Sequence, residues 1–131
     1  MPRIQYAGIA DAKLPEALPQ DRYDLRCIKA KFNEKSKSSG KPNVELQFEV
    51  LNHPEATGVY HYITFPQGED VKKDNGARFN TKRICELCDV AYDGEGFDTE
   101  DFVGKEIHNA LLNLETDDLG RKSNRIDLRN T

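Results

Sequence analysis

Asp21-Arg-Tyr-Asp-Leu-Arg-Cys-Ile-Lys-Ala-Lys-Phe-Asn33 changes parity halfway along. Apolar side chains fall first on odd positions (Tyr23, Leu25, Cys27) and then on even ones (Ile28, Ala30, Phe32). A strand alternates its faces with period 2, so the switch predicts a bulge or sharp bend near Cys27 and Ile28. A long, bent first strand that serves both halves of a small barrel is what an OB-type fold requires. The competing reading is two short strands, or one strand partly buried on both faces.

The segments downstream fit the barrel. Asn33 to Asn43 holds no apolar residue and contains Ser36-Lys-Ser-Ser-Gly-Lys-Pro42, so it reads as a solvated loop. Val44, Leu46, Phe48 and Val50 alternate with Glu45, Gln47 and Glu49, which gives a second strand with one buried and one wet face. After a turn at Asn52-His53-Pro54, Gly58 to Phe65 reads as the third strand. If Val59, Ile63 and Phe65 point inward, Tyr60 and Tyr62 project together from the outer face. The alternative places the tyrosines in the core and His61 outside.

A charged link, Glu69 to Asn75, leads to an apolar stripe (Ala77, Ile84, Leu87, Cys88, Ala91) that predicts a helix over about 77–91, closed by Gly94 and Gly96. Phe97 to Gly104 is a connector in which Asp98 or Thr99 caps a turn. Lys105 to Thr116 and about Lys122 to Leu128 form strands four and five around a hairpin turn with Gly120 in its strained position. Residues 1–20, interrupted by Gly8, Pro15 and Pro19, form an irregular lead-in to one OB-type domain over 21–131. The expected class is mainly β: five barrel strands with one helix between strands 3 and 4.

At 131 residues the chain has room for one core without disulfides or metal. It has no apolar run of about 18 residues, which argues against a membrane span. Its N-terminus does not read as a signal peptide, and three cysteines are an odd count for a secreted disulfide framework. The expected location is the cytoplasm. The net charge of −4 is unevenly spread. Arg22 to Lys41 carries seven bases against two acids, whereas Glu86 to Asp118 carries eleven acids and one base, Lys105. The tail from Leu119 is basic again. A polyanion responds to the field within about a Debye length, so the acidic total does not exclude one as partner.

In an OB-type barrel a ligand lies across strands 2 and 3, between the 1–2 and 4–5 loops. Lys29, Lys31, Lys35, Lys37 and Lys41 gather at the first loop, Arg121, Lys122 and Arg125 at the second, and Tyr60 and Tyr62 stand between. Cations that track a phosphate backbone beside aromatic platforms are the recipe for sequence-tolerant single-strand binding. Duplex is a poorer fit, because its bases are already stacked.

Other chemistry is weakly marked. Cys85-Glu-Leu-Cys88 lacks a second ligand pair for zinc and reads as core packing in mid-helix. Asp98, Glu100 and Asp101 read as a solvated cap, and His53, His61 and His108 as structural. No catalytic constellation is found, so no enzyme is expected.

The sequence also resembles the OB-fold single-stranded-DNA-binding proteins of tailed bacteriophages over about Asp21 to Leu128. The resemblance is carried by Lys29-Ala-Lys-Phe32, the Ser-Lys-Ser-Ser-Gly-Lys-Pro loop, Val44 to Val50 followed by His53-Pro54, Phe97-Asp-Thr-Glu-Asp-Phe-Val-Gly-Lys105, and Gly120-Arg-Lys-Ser-Asn-Arg-Ile126. It implies a role in phage DNA replication or recombination in the host cytoplasm, without catalysis or cofactor. Replication or recombination proteins are the further partners, and a homo-oligomer is compatible with it. The contacts it implies are Lys29, Lys31, Lys37, Lys41, Tyr60, Tyr62, Arg121, Lys122 and Arg125. Many single-strand binders end in an acidic tip, whereas this sequence ends Arg129-Asn-Thr131. Either a tail is missing or the acid-rich stretch from Glu86 to Asp118 recruits partners instead. The competing function is a protein-interaction module of the same fold that docks a basic partner on that acidic surface.

Overall fold

The computed structural model describes residues 3–12, 14–36 and 39–131. It is mainly β: one five-stranded antiparallel sheet with a single α-helix. The strands are β1 (Asp21–Asn33), β2 (Asn43–Val50), β3 (Val59–Thr64), β4 (Glu106–Thr116) and β5 (Lys122–Ile126), and α1 (Val71–Leu87) lies between β3 and β4. Their spatial order is β3-β2-β1-β4-β5, so β1 is central and pairs on both sides. The sheet is open in its hydrogen bonding. Its edge strands β3 and β5 lie against each other without a ladder between them.

The parity switch in β1 has a structural cause. The β1–β2 register slips between Cys27 and Lys29, and the β1–β4 register slips between Tyr23 and Leu25. Ile28 is the extra residue at the first slip, and it is 43% exposed. Leu25 and Cys27, before the slip, are fully buried. A bulge adds twist and bends its strand, and here it lets β1 pair with β2 at one end and β4 at the other.

The core lies on one face of the sheet. Cross-strand partners share a face, so Cys27, Phe48 and Val59 form one inner row and Phe32, Val44 and Ile63 another. Phe48, Leu46, Leu25, Leu112 and Ile107 are sealed from solvent. Phe102, on the 3-10 turn Thr99–Phe102, packs edge-on against Phe97 at 5.7 Å and closes the core below β1. The β4–β5 turn has Gly120 at φ 79°, as the sequence requires. Asp117 fastens it by accepting from the backbone N–H groups of Leu119 (2.9 Å) and Arg121 (2.8 Å).

The helix departs from expectation at both ends. It runs over Val71–Leu87 rather than 77–91. Asp70 caps it by accepting from the N–H groups of Lys72 (2.9 Å) and Lys73 (3.4 Å), which starts the helix before any apolar stripe. Cys88 closes it, and Asp89 follows at φ 55°, ahead of the glycines expected to do so. Cys85 and Cys88 therefore sit at its C-terminal end, not in mid-helix. Both are buried, and burial pushes their thiols up to about 11 and about 12, which leaves them protonated and inert.

The lead-in contains one 3-10 turn, Ile9–Asp11, and its last residues join the fold. Leu18 is buried. The buried Asn124 amide of β5 accepts from Leu18 N–H at 2.9 Å and donates to Leu18 C=O at 2.8 Å. At the other terminus, Arg83 of α1 donates to the carbonyls of Leu128 (3.0 Å) and Thr131 (2.8 Å), so the tail is held against the helix. No helix is long and apolar enough to cross a membrane among the described residues.

Candidate functional site

Strand pairing assembles the site on the outer face. Lys29 pairs with Gln47 and Gln47 with Tyr60; Lys31 pairs with Glu45 and Glu45 with Tyr62. Paired residues on antiparallel strands point the same way, so the register forms two rows across β1, β2 and β3. Each row begins with a lysine and ends with a tyrosine. Tyr60 is 44% exposed and Tyr62 48%, while Val59 and Ile63, which flank the pair, are buried. The two phenols stand about 7 Å apart along the strand, a consequence of its rise per residue.

Beside Tyr60 and Tyr62, a groove of about 520 Å³ separates β3 from β5. Its lining includes His61, Asn80 of α1, and Ser123 and Arg125 of β5. Arg125 lines the groove from β5, and its Nε lies 2.9 Å from a carboxylate oxygen of Glu115 on β4. The expected residues thus divide. Lys29, Lys31, Tyr60 and Tyr62 share one face, and Arg125 borders it across the groove. Lys41 lines an adjoining cavity that also contains Thr64, the residue two beyond Tyr62. Arg121 and Lys122 lie on the β4–β5 hairpin and do not line the groove; Arg121 is tied to Asp117 at 2.8 Å. Lys37 lies outside the described residues.

The face is mixed in charge, as the alternation of Glu45, Gln47 and Glu49 along β2 already implied. Glu45 stands between Lys31 and Tyr62 and accepts from the Tyr62 hydroxyl at 3.2 Å. Partial burial, and then the Glu45 charge, raise the Tyr62 phenol above its ordinary value, so it stays a neutral donor. Arg26 bridges Glu49 (3.3 Å) and Glu106 (3.5 Å), which cancels charge at the far end of the sheet. Among the described residues, Lys29, Lys31 and Lys41 form no ion pair. Their ammonium groups are free for an outside anion.

Asn80, Ser123 and Gln47 were not singled out by sequence. Gln47 could have been found from the alternation of β2, once its register against Tyr60 was fixed. Asn80 and Ser123 belong to elements distant in sequence, and only the folded chain brings them together.

His61 faces the opposite way from its tyrosine neighbours, in a row with Ala30 and Leu46. Burial and then the nearby Arg125 guanidinium lower its imidazole from 6.5 to about 4. The folded ring therefore stays neutral down to about pH 4, while in the unfolded chain it charges near 6.5. Between those values the unfolded state binds more protons, so this contribution to stability is complete above 6.5 and is lost as pH falls toward 4. Thermal melts of the wild-type protein are expected to fall between pH 7 and 4.5 more steeply than those of His61→Gln. Parallel curves would show that His61 is not so placed.

Chemically, the face offers flat aromatic rings, free ammonium groups and a polar groove, which suits a chain of planar, anionic units. A scan of the sequence against models of protein families and a search of curated proteins both find no match.

Proposed function

We propose that this chain is an OB-type barrel protein that binds single-stranded nucleic acid across β2 and β3. The strand order, the bent β1 shared by both halves, the helix between β3 and β4, and the approach of β3 to β5 all support the barrel reading. The observation that carries the function is the pair of cross-strand rows, Lys29–Gln47–Tyr60 and Lys31–Glu45–Tyr62. Each row places an ammonium group for a phosphate across the sheet from a ring for a base.

More particularly, we propose that the ligand is single-stranded DNA and that the setting is phage DNA replication or recombination. The resemblance of the loop and strand patterns to phage single-strand binders supports this setting. On this reading the protein covers the strand without catalysis, and bases along most of it are held by stacking rather than by sequence.

The lysines give the test. With about four to six phosphate contacts, log K should fall against log salt with a slope near −3 to −4. Lys29→Ala combined with Lys31→Ala is expected to flatten that slope by about 1.4, since each phosphate contact to a single strand contributes about 0.7. Both side chains are exposed, so the melting temperature should hardly move. An unchanged slope would remove the β1 lysines from the path of the strand.

A further inference from the structure

The groove between β3 and β5 contains more hydrogen-bonding capacity than the fold uses. Asn124, at its base, is fully occupied: its amide serves Leu18 on both sides and donates to the Asn113 carbonyl at 3.4 Å. His61, Asn80 and Ser123 differ. Among the described residues, none of these three side chains has a hydrogen-bond partner in the chain, yet all three line the same groove. They come from β3, α1 and β5, so the fold converges three elements on one open space. His61 is the most telling of them. It occupies an inner-face position between Val59 and Ile63, both buried, where an apolar residue would pack at no desolvation cost.

We propose that this groove reads the edge of one nucleobase of the bound strand. The inference rests on the single-strand reading above and adds base preference at one position to otherwise sequence-tolerant binding. The Asn80 carboxamide supplies a donor and an acceptor, the neutral His61 imidazole one of each, and the Ser123 hydroxyl either. Tyr60 and Tyr62 flank the base, and Arg125 lies at the rim for the adjoining phosphate. A groove that only guided a backbone would want free cations along it, whereas the one cation in this lining among the described residues, Arg125, is paired with Glu115 at 2.9 Å. A groove lined by unpaired neutral donors and acceptors suits a base edge.

The test is competition anisotropy with thirty-nucleotide oligo-dT, oligo-dC and oligo-dA, on the wild-type chain and on Asn80→Ala combined with Ser123→Ala. Both side chains are exposed, so the variant should fold, and a thermal melt checks this. The wild-type protein is expected to separate its best from its worst homopolymer by about tenfold, the scale of one good base-edge contact. In the variant the ratio should collapse to about twofold, chiefly through loss on the preferred strand. Equal wild-type affinity for all three, or a preference that survives the double substitution, would overturn the base-reading groove and leave the single-strand reading standing. Failure to bind any of the three would overturn both.

Discussion

Replacing Tyr60 and Tyr62 together by alanine is expected to weaken single-strand binding by about 2–6 kcal/mol, because each base stacked on an aromatic ring contributes about 1–3. Even the low end is a loss of about thirtyfold in affinity. Both rings are roughly half exposed on the outer face, and neither belongs to the core. The variant should therefore melt close to the wild-type temperature. Among the described residues, its one lost internal polar contact is the exposed Tyr62 hydrogen bond to Glu45. Tyr60→Phe with Tyr62→Phe keeps the rings and should retain most of the affinity. A double alanine variant that binds normally would remove stacking from the account. If the phenylalanine pair binds as poorly as alanine, the hydroxyls rather than the rings hold the strand.

Phe48→Ala should do the opposite. Its neighbour in sequence, Gln47, faces Tyr60 on the outer side, while Phe48 itself points inward between Cys27 and Val59 and has no exposure. Truncating a sealed phenylalanine loses its transfer free energy and leaves a cavity, for a cost of about 3–5 kcal/mol. Against a total stability of about 5–15 kcal/mol for a domain, that is a large share. Urea or thermal unfolding would measure it. Binding at a temperature where the variant is still folded should be nearly normal, since no groove or row residue has changed. The tyrosine and phenylalanine variants together separate the two faces of one sheet.

Much of the architecture was legible because β1, β2 and β3 obey a period of 2 and break it where the chain bends. The slip at Cys27 and Lys29 lies where odd apolar positions give way to even ones. Tyr60 and Tyr62 are outside because Val59 and Ile63 must be inside. The helix was harder. Its first turns, from Val71 to Asn80, face solvent for most of their length and have no apolar stripe, so hydropathy placed its start at Ala77. The signal there was Asp70, a cap residue that reads as part of a charged link until its bonds to Lys72 and Lys73 are seen. Phe32, on the even side of the parity switch, shares a row with Val44 and Ile63 but remains 51% exposed and meets Phe65 edge-on at 6.0 Å.

The shared face of Tyr60, Tyr62 and the β1 lysines in the candidate site was legible, its partners in charge less so. Glu45 was on the wet side of the β2 alternation, but its place between Lys31 and Tyr62, and the pairing of Glu115 with Arg125, come from the register of strands in space. The groove residues are separated by long stretches of chain, with His61, Asn80 and Ser123 on three elements. No local pattern announces such a set. It follows only from the approach of β3 to β5.

The central claim is most directly tested by fluorescence anisotropy with a labelled thirty-nucleotide oligo-dT strand, its duplex with oligo-dA, and the equivalent RNA strand, each titrated at several salt concentrations. The account predicts tight binding to the DNA strand, weakening with salt at a log–log slope near −3 to −4, and little binding to the duplex. Absence of binding to any of the three, even at low salt, would contradict it and turn attention to a basic protein partner on the acidic stretch from Glu86 to Asp118.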